Sequence, residues 1–254
     1  MGLNFPHHPD IALAKPPLAE VICQVRFPPI LRIAREEPSE FQERIRDRFP
    51  LLDIEQGVVV KLPAPASGIA PSAEIPPRVF RFTSADHQTS VSLAIDFYAL
   101  STQRYTHWSD FAANLALVQT AVESIYRPAY ASRIGLRYIN RFTTQGTQCA
   151  TMSEVLALLR PELTALFQTD AWSQPASLVT QLNLPDDQAM LTLRTAYSES
   201  ADEPFFLLDF DYYEEGSLGF DKLVERCDRY HRVIYNAFRW SLREPSLIRF
   251  GPAV

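Results

Sequence analysis

The segment RIGLRYINR places Arg133, Arg137 and Arg141 at steps of four residues. Side chains alternate across a strand, so these three would share one face with Gly135 and Ile139. Ile134, Leu136, Tyr138 and Asn140 would share the other, a core face. Neighbouring arginines would stand about 13 Å apart at strand rise. Such a row has two possible chemistries. Guanidinium forks match phosphate and carboxylate oxygens, which gives an anion site for a nucleotide, an RNA backbone or an acidic surface. Gly135 would then let the ligand approach the backbone closely. Alternatively, Asp96, Asp209, Asp211 or Glu214 on neighbouring strands pairs with the row as a cross-strand ladder.

His231 is a candidate for general acid–base work. It sits on the apolar stripe of a C-terminal helix, with Asp228 three residues before it and Tyr235 four after it to orient the ring. A base also needs a nucleophile or water in reach, and a histidine on an apolar face more often serves packing. The run FDYYEEG (210–216) gathers Asp211, Glu214 and Glu215 around Tyr212 and Tyr213. Paired carboxylates could hold a metal or move a proton. At a strand end they more often form a solvated rim, and the two tyrosines would then suit a partner-binding surface.

Other chemistries lack their residues. Cys23, Cys149 and Cys227 are too far apart for a zinc site or a disulfide framework. His7 and His8 are an isolated pair, and His87 and His107 fall on a turn and a helix start. No metal is expected. The chain has no phosphate-loop, dinucleotide, nucleophile-elbow or HExxH motif, so no cofactor is expected either.

The elements that must position these residues follow from periodicity. LAEVICQVRF (18–27), RVFRFTS (78–84), TSVSLAIDFYALS (89–101), SLVTQLNL (177–184), AMLTLRTAYS (189–198) and FFLLDFDYYE (205–214) read as strands, as does GVVVKL (57–62). The spacing predicts helices over 108–126 and 219–242, a short one from Ser39 to Phe49, and one over 153–167 interrupted by Pro161. LIRF (247–250) would be a last strand, and proline-rich 63–77 a loop.

The order strand, helix, three strands, long helix then occurs twice. Arg26-Phe27 and Arg141-Phe142 are 115 residues apart, Asp96-Phe97 and Asp209-Phe210 are 113, and the helix-opening Trp108 and Phe220 are 112. The expectation is an α+β fold of two β-α-β-β-β-α repeats with mostly antiparallel sheets and long helices on one face. Residues 1–16 would be an extended lead-in, 17–128 the first half and 129–254 the second, all in one compact unit with a ligand-sized cleft between the halves.

PPLAEVICQVRFPP, the Phe41–Pro50 segment FQERIRDRFP, DFYAL and RIGLRYINR together resemble a sporadically distributed, uncharacterised family of bacterial proteins of about this length. The resemblance covers nearly the whole chain. It implies a bacterial origin and an accessory role in defence, toxin–immunity or mobile-element systems. It supplies no catalytic residues.

A net charge of −6 disfavours non-specific nucleic-acid binding, which needs lysine and arginine to neutralise phosphates. The first expectation is therefore a non-enzymatic, cytoplasmic binding protein with a protein partner. A nucleotide or RNA sensor using the arginine row is the alternative. A motif-free nuclease or hydrolase using His231 is the third. The sequence has no apolar stretch long enough to span a membrane as a helix, and its N-terminus lacks the pattern of a secretion signal.

Overall fold

Alternating apolar and polar residues build nine strands, and a single antiparallel sheet joins them in the computed structural model, which describes residues 2–11, 13–56, 78–172, 174–199 and 202–251. The strands are β1 (Leu18–Arg26), β2 (Leu51–Gln56), β3 (Arg78–Thr83), β4 (Thr89–Ala94), β5 (Phe97–Thr102), β6 (Ala131–Thr143), β7 (Ser177–Asp186), β8 (Ala189–Ser198) and β9 (Phe205–Leu218). Their order across the sheet is β2-β3-β4-β5-β1-β6-β9-β8-β7. β1 and β6, which begin the two expected halves, lie side by side at the centre.

One row of residues shows the logic of the sheet. Leu52, Phe82, Val91, Leu100, Cys23, Leu136, Tyr212, Leu191 and Leu184 stand opposite one another, one from each strand. They face the helices. The helices are α1 (Leu31–Arg35), α2 (Ser39–Ile45), α3 (Trp108–Tyr126), α4 (Thr144–Thr147), α5 (Met152–Ala157), α6 (Pro161–Thr164) and α7 (Leu223–Ser241). α3 and α7 have 19 residues each. Phe41 of α2 meets Phe82 edge-on at 5.3 Å, Cys227 of α7 lies 3.7 Å from Cys23, and Tyr230 of α7 packs on Tyr212. Buried Phe111, Leu115, Val118 and Val122 give α3 its inward stripe. All three cysteines are free and buried.

The adjacent row on the other face reads Asp53, Arg81, Ser92, Ala99, Gln24, Gly135, Tyr213, Met190 and Pro185. Among the described residues no helix packs on it, because the contacts of α2, α3 and α7 fall on the opposite face.

Three expectations change. The run 89–101 is two strands, because Ile95 and Asp96 form a tight turn between β4 and β5. Asp96 therefore lies in a turn, where its carbonyl accepts from the Phe27 amide. Residues 247–250 belong to a 3-10 helix, Glu244–Phe250, which buries Phe250 against Phe142. Leu51–Gln56 is a strand that lies before the one expected at 57–62. The expected strand 57–62 and loop 63–77 lie outside the described residues. Pro161 does divide the expected helix over 153–167, by opening α6 as its first residue.

Candidate functional site

β6 carries both candidate centres, one on each face. On the helix-free face stand Arg133, Arg137 and Arg141, and each meets a carboxylate of the same chain. Arg133 Nη2 donates to both oxygens of Asp211 at 2.9 and 3.1 Å. Arg137 donates through Nε and Nη2 to Asp209, both at 2.7 Å. Arg141 donates to Glu203 at 3.1 Å. Arg194 of β8 completes the network by donating to Asp209 at 3.3 Å. Asp209 thus lies between two guanidinium groups and is only 2% exposed. Its contact with Arg137 raises the arginine pKa above its usual value.

These pairs run diagonally. Arg137 stands opposite Asp211 in the register yet reaches Asp209, two residues on. Long side chains span that diagonal easily. The arginine heads also cover aromatic rings: Arg133 lies 4.3 Å above Tyr213, and Arg141 lies 5.0 Å above Phe205. Gly135 serves this packing, since a Cβ there would lie 2.5 Å from Arg133 Nη1. The glycine makes room for the chain's own arginine.

Arg133, Arg137 and Arg141 thus form a cross-strand ladder, each fork meeting a carboxylate of the same chain. Of the carboxylates considered for it, Asp209 and Asp211 belong to the ladder. Asp96 does not, and Glu214 faces the helices, where it accepts from Arg226 and Arg229. The paired-carboxylate reading of Asp211, Glu214 and Glu215 fails for the same reason, because strand alternation puts Glu214 on the other side. Tyr212 also points inward. Its hydroxyl donates to Asp186 at 2.8 Å, and the residue is 7% exposed. Tyr213 is half-buried on the helix-free face beneath Arg133.

On the helix-bearing face, Tyr138 meets His231. The Tyr138 hydroxyl lies 2.8 Å from His231 Nδ1, and Nε2 lies 3.2 Å from Asp10 Oδ2. With Nε2–H donating to that carboxylate, Nδ1 accepts from the tyrosine. Trp108 stacks flat on the imidazole at 4.9 Å, and the Tyr105 hydroxyl lies 3.3 Å from that of Tyr138. Burial lowers the His231 pKa against the opposing pull of Asp10. Burial also raises the hydroxyl pKa of Tyr138 and Tyr105. At neutral pH the cluster is an uncharged imidazole between a carboxylate and a phenol.

The expected orienting residues have other tasks. Asp228 pairs with Arg232 at 2.8 Å. The Tyr235 hydroxyl accepts from the Ile11 amide and donates to the Pro9 carbonyl, which fixes the N-terminal segment. Asp10, the residue that does meet His231, comes from the lead-in, where no periodicity marked it. Trp108 and Tyr138 were legible only as inward-facing residues. Two cavities adjoin the cluster: one, lined in part by Tyr105, Tyr138, Asn140 and Phe238, measures about 70 Å³, and one, lined in part by His8, Asp10, His231 and Arg232, measures about 240 Å³. Small-molecule pockets run to roughly 300 Å³ and more.

Among the described residues no group of three or more histidine, cysteine or acidic side chains is placed to hold a metal ion, and no helix is long and apolar enough to cross a membrane. Comparison with protein-family models and with curated protein sequences finds no match to this chain.

Proposed function

We propose that this is a binding protein without catalytic chemistry of its own, which engages a protein partner through the helix-free face of its sheet. One observation carries the reading: among the described residues no helix packs on a broad strand surface, where Arg133, Arg137, Arg141 and Arg194 are held by carboxylates of the same chain. Ser92, Ala99, Gln24 and Gly135 are small or uncharged and run across its centre. A partner covering this strip would have few charges to desolvate, because the ion pairs bring their own counter-charges. The His231 cluster supports the same conclusion, since both ring nitrogens and one ring face are occupied by the chain itself.

The two-repeat architecture belongs to this proposal. β1 has β5, β4 and β3 on one side, and β6 has β9, β8 and β7 on the other, in matching order. Each trio precedes a 19-residue helix. A duplicated unit whose first strands pair would generate that order. The resemblance of the RIGLRYINR and PPLAEVICQVRFPP segments to a sporadic bacterial family supports an accessory role in the cytoplasm, in defence, toxin–immunity or mobile-element biology.

The test is recovery of the native complex from its source, with the wild type and with Ala99→Arg. The wild type should co-purify with a stoichiometric protein. The variant should lose it by at least about tenfold in affinity, or about 1.4 kcal/mol, with an unchanged melting temperature. A strictly unaccompanied wild type, or a partner held equally by the variant, overturns the proposal. Melting in the presence of millimolar nucleotides separates the anion-receptor alternative, because a ligand that binds the folded state raises the midpoint. A flat response is expected.

A further inference from the structure

The two edges of the sheet are built differently. β2 ends one side and carries Asp53 and Glu55 among its six residues. Charges on an edge discourage another strand from adding to it. β7 ends the other side, and its first eight residues, SLVTQLNL, contain no charge, no proline and no glycine. Pro185 comes only at the end. The strand pairs with β8 along its whole length, and among the described residues its other edge meets no strand. Val179 is 78% exposed and Leu182 51% exposed, on opposite faces. Leu166 and Trp172, also exposed, lie in the segment whose Phe167 ring packs 4.9 Å from Tyr197, the residue opposite Leu178.

We infer that β7 pairs antiparallel with β7 of a second copy, which joins the two sheets edge to edge in a twofold dimer. Self-pairing is the arrangement that a neutral strand suits. Across a twofold axis each residue type meets the same short set of residues, so any charge near the axis would face its own sign. The chain carries a net charge of −6, and copies repel unless they meet where that charge is absent. β7 is such a place.

An axis normal to the sheet keeps the helix-bearing faces on one side. With Leu182 on the axis, Leu182 meets its own counterpart on that side and Leu184 meets Thr180, while Val179 contacts the partner on the other. Strand pairing alone buries less than the roughly 1,200 Å² of a stable interface. Exposed Leu166 and Trp172, in the segment held by Phe167 on Tyr197, supply the additional apolar surface. The two helix-free faces become continuous. This inference uses a surface apart from that of the proposed function and stands or falls independently.

Sedimentation equilibrium with purified full-length protein tests it, using Leu182→Lys, Leu182→Glu and Val179→Lys. The wild type should show the mass of a dimer. Each variant should run as a monomer with an unchanged melting temperature. Mixing Leu182→Lys with Leu182→Glu should restore the dimer, because opposite charges then meet across the axis. Restoration also shows that both variants are folded. A wild type that stays monomeric at all concentrations overturns the inference, including one that is monomeric and adds a strand from a different protein. A dimer that survives both lysine variants places the contact elsewhere and overturns it equally.

Discussion

At the scale of single residues, the decisive contrast lies between the two faces of β6. Asp209 is buried between Arg137 and Arg194, both of which keep about a third or more of their side chains in water. Asp209→Ala should cost about 1.5–3 kcal/mol in denaturant unfolding, the range for hydrogen bonds to a charged group. The loss stays in that range because the released arginines can reach solvent. Arg141→Ala, at a more exposed pair, should cost less than about 1 kcal/mol. His231 gives a pH signature. Its pKa in the fold lies below the ordinary 6.5, through burial first, with Asp10 opposing. The unfolded chain therefore binds the proton more readily, so the stability from neutral His231 is fully present above pH 6.5 and is lost as pH falls through the folded value. His231→Gln should flatten the melting-temperature profile on the acid side of that point. An unchanged slope would contradict the neutral, buried imidazole. Periodicity assigned both faces of β6 and named Asp209 and Asp211 as possible partners of the row. It could not choose between them and a ligand, because pairing depends on which strands become neighbours. Asp10 lies 221 residues from His231, and no local pattern spans that distance.

At the scale of elements, alternation and helical spacing located most of the sheet and both 19-residue helices, because each buries one face against the other layer. The misses have physical causes. SLAIDFYAL is apolar almost throughout, and the turn at Ile95 and Asp96 contains neither glycine nor proline to mark it. LIRF is apolar enough for a strand, but Pro245 fixes a helical start at its door and Phe250 finds its burial as the last residue of a 3-10 helix. The lead-in is the element that local patterns described least. It is bound at several points: Leu3 donates to Asp186, His8 to Asn236, Ile11 to Tyr235 and Ala14 to the carbonyl of Gly251. Tyr235 is its central anchor. Tyr235→Phe should lower stability by about 1 kcal/mol and speed hydrogen exchange at Ile11, with little change in the β1 amides. Unaltered exchange at Ile11 would show that the other anchors suffice.

At the scale of the whole molecule, the described strands take α3 and α7 on one side, and among the described residues no helix packs on the other, where arginines pair with carboxylates of the chain. This division sets a row of arginines, legible in sequence as a possible anion site, in ion pairs on the helix-free face. It also separates that surface from the His231 cluster, so neither completes the other as an active site. Carboxylate labelling with a carbodiimide, read by mass spectrometry on the isolated native complex, tests the claim most directly. Glu20 and Glu215 report on the helix-free face, and Glu43 and Glu225 on the helices. The account predicts that complex formation shields Glu20 and Glu215 while Glu43 and Glu225 label as in the free protein. Shielding confined to Glu43 and Glu225 would put the partner on the helices and contradict it.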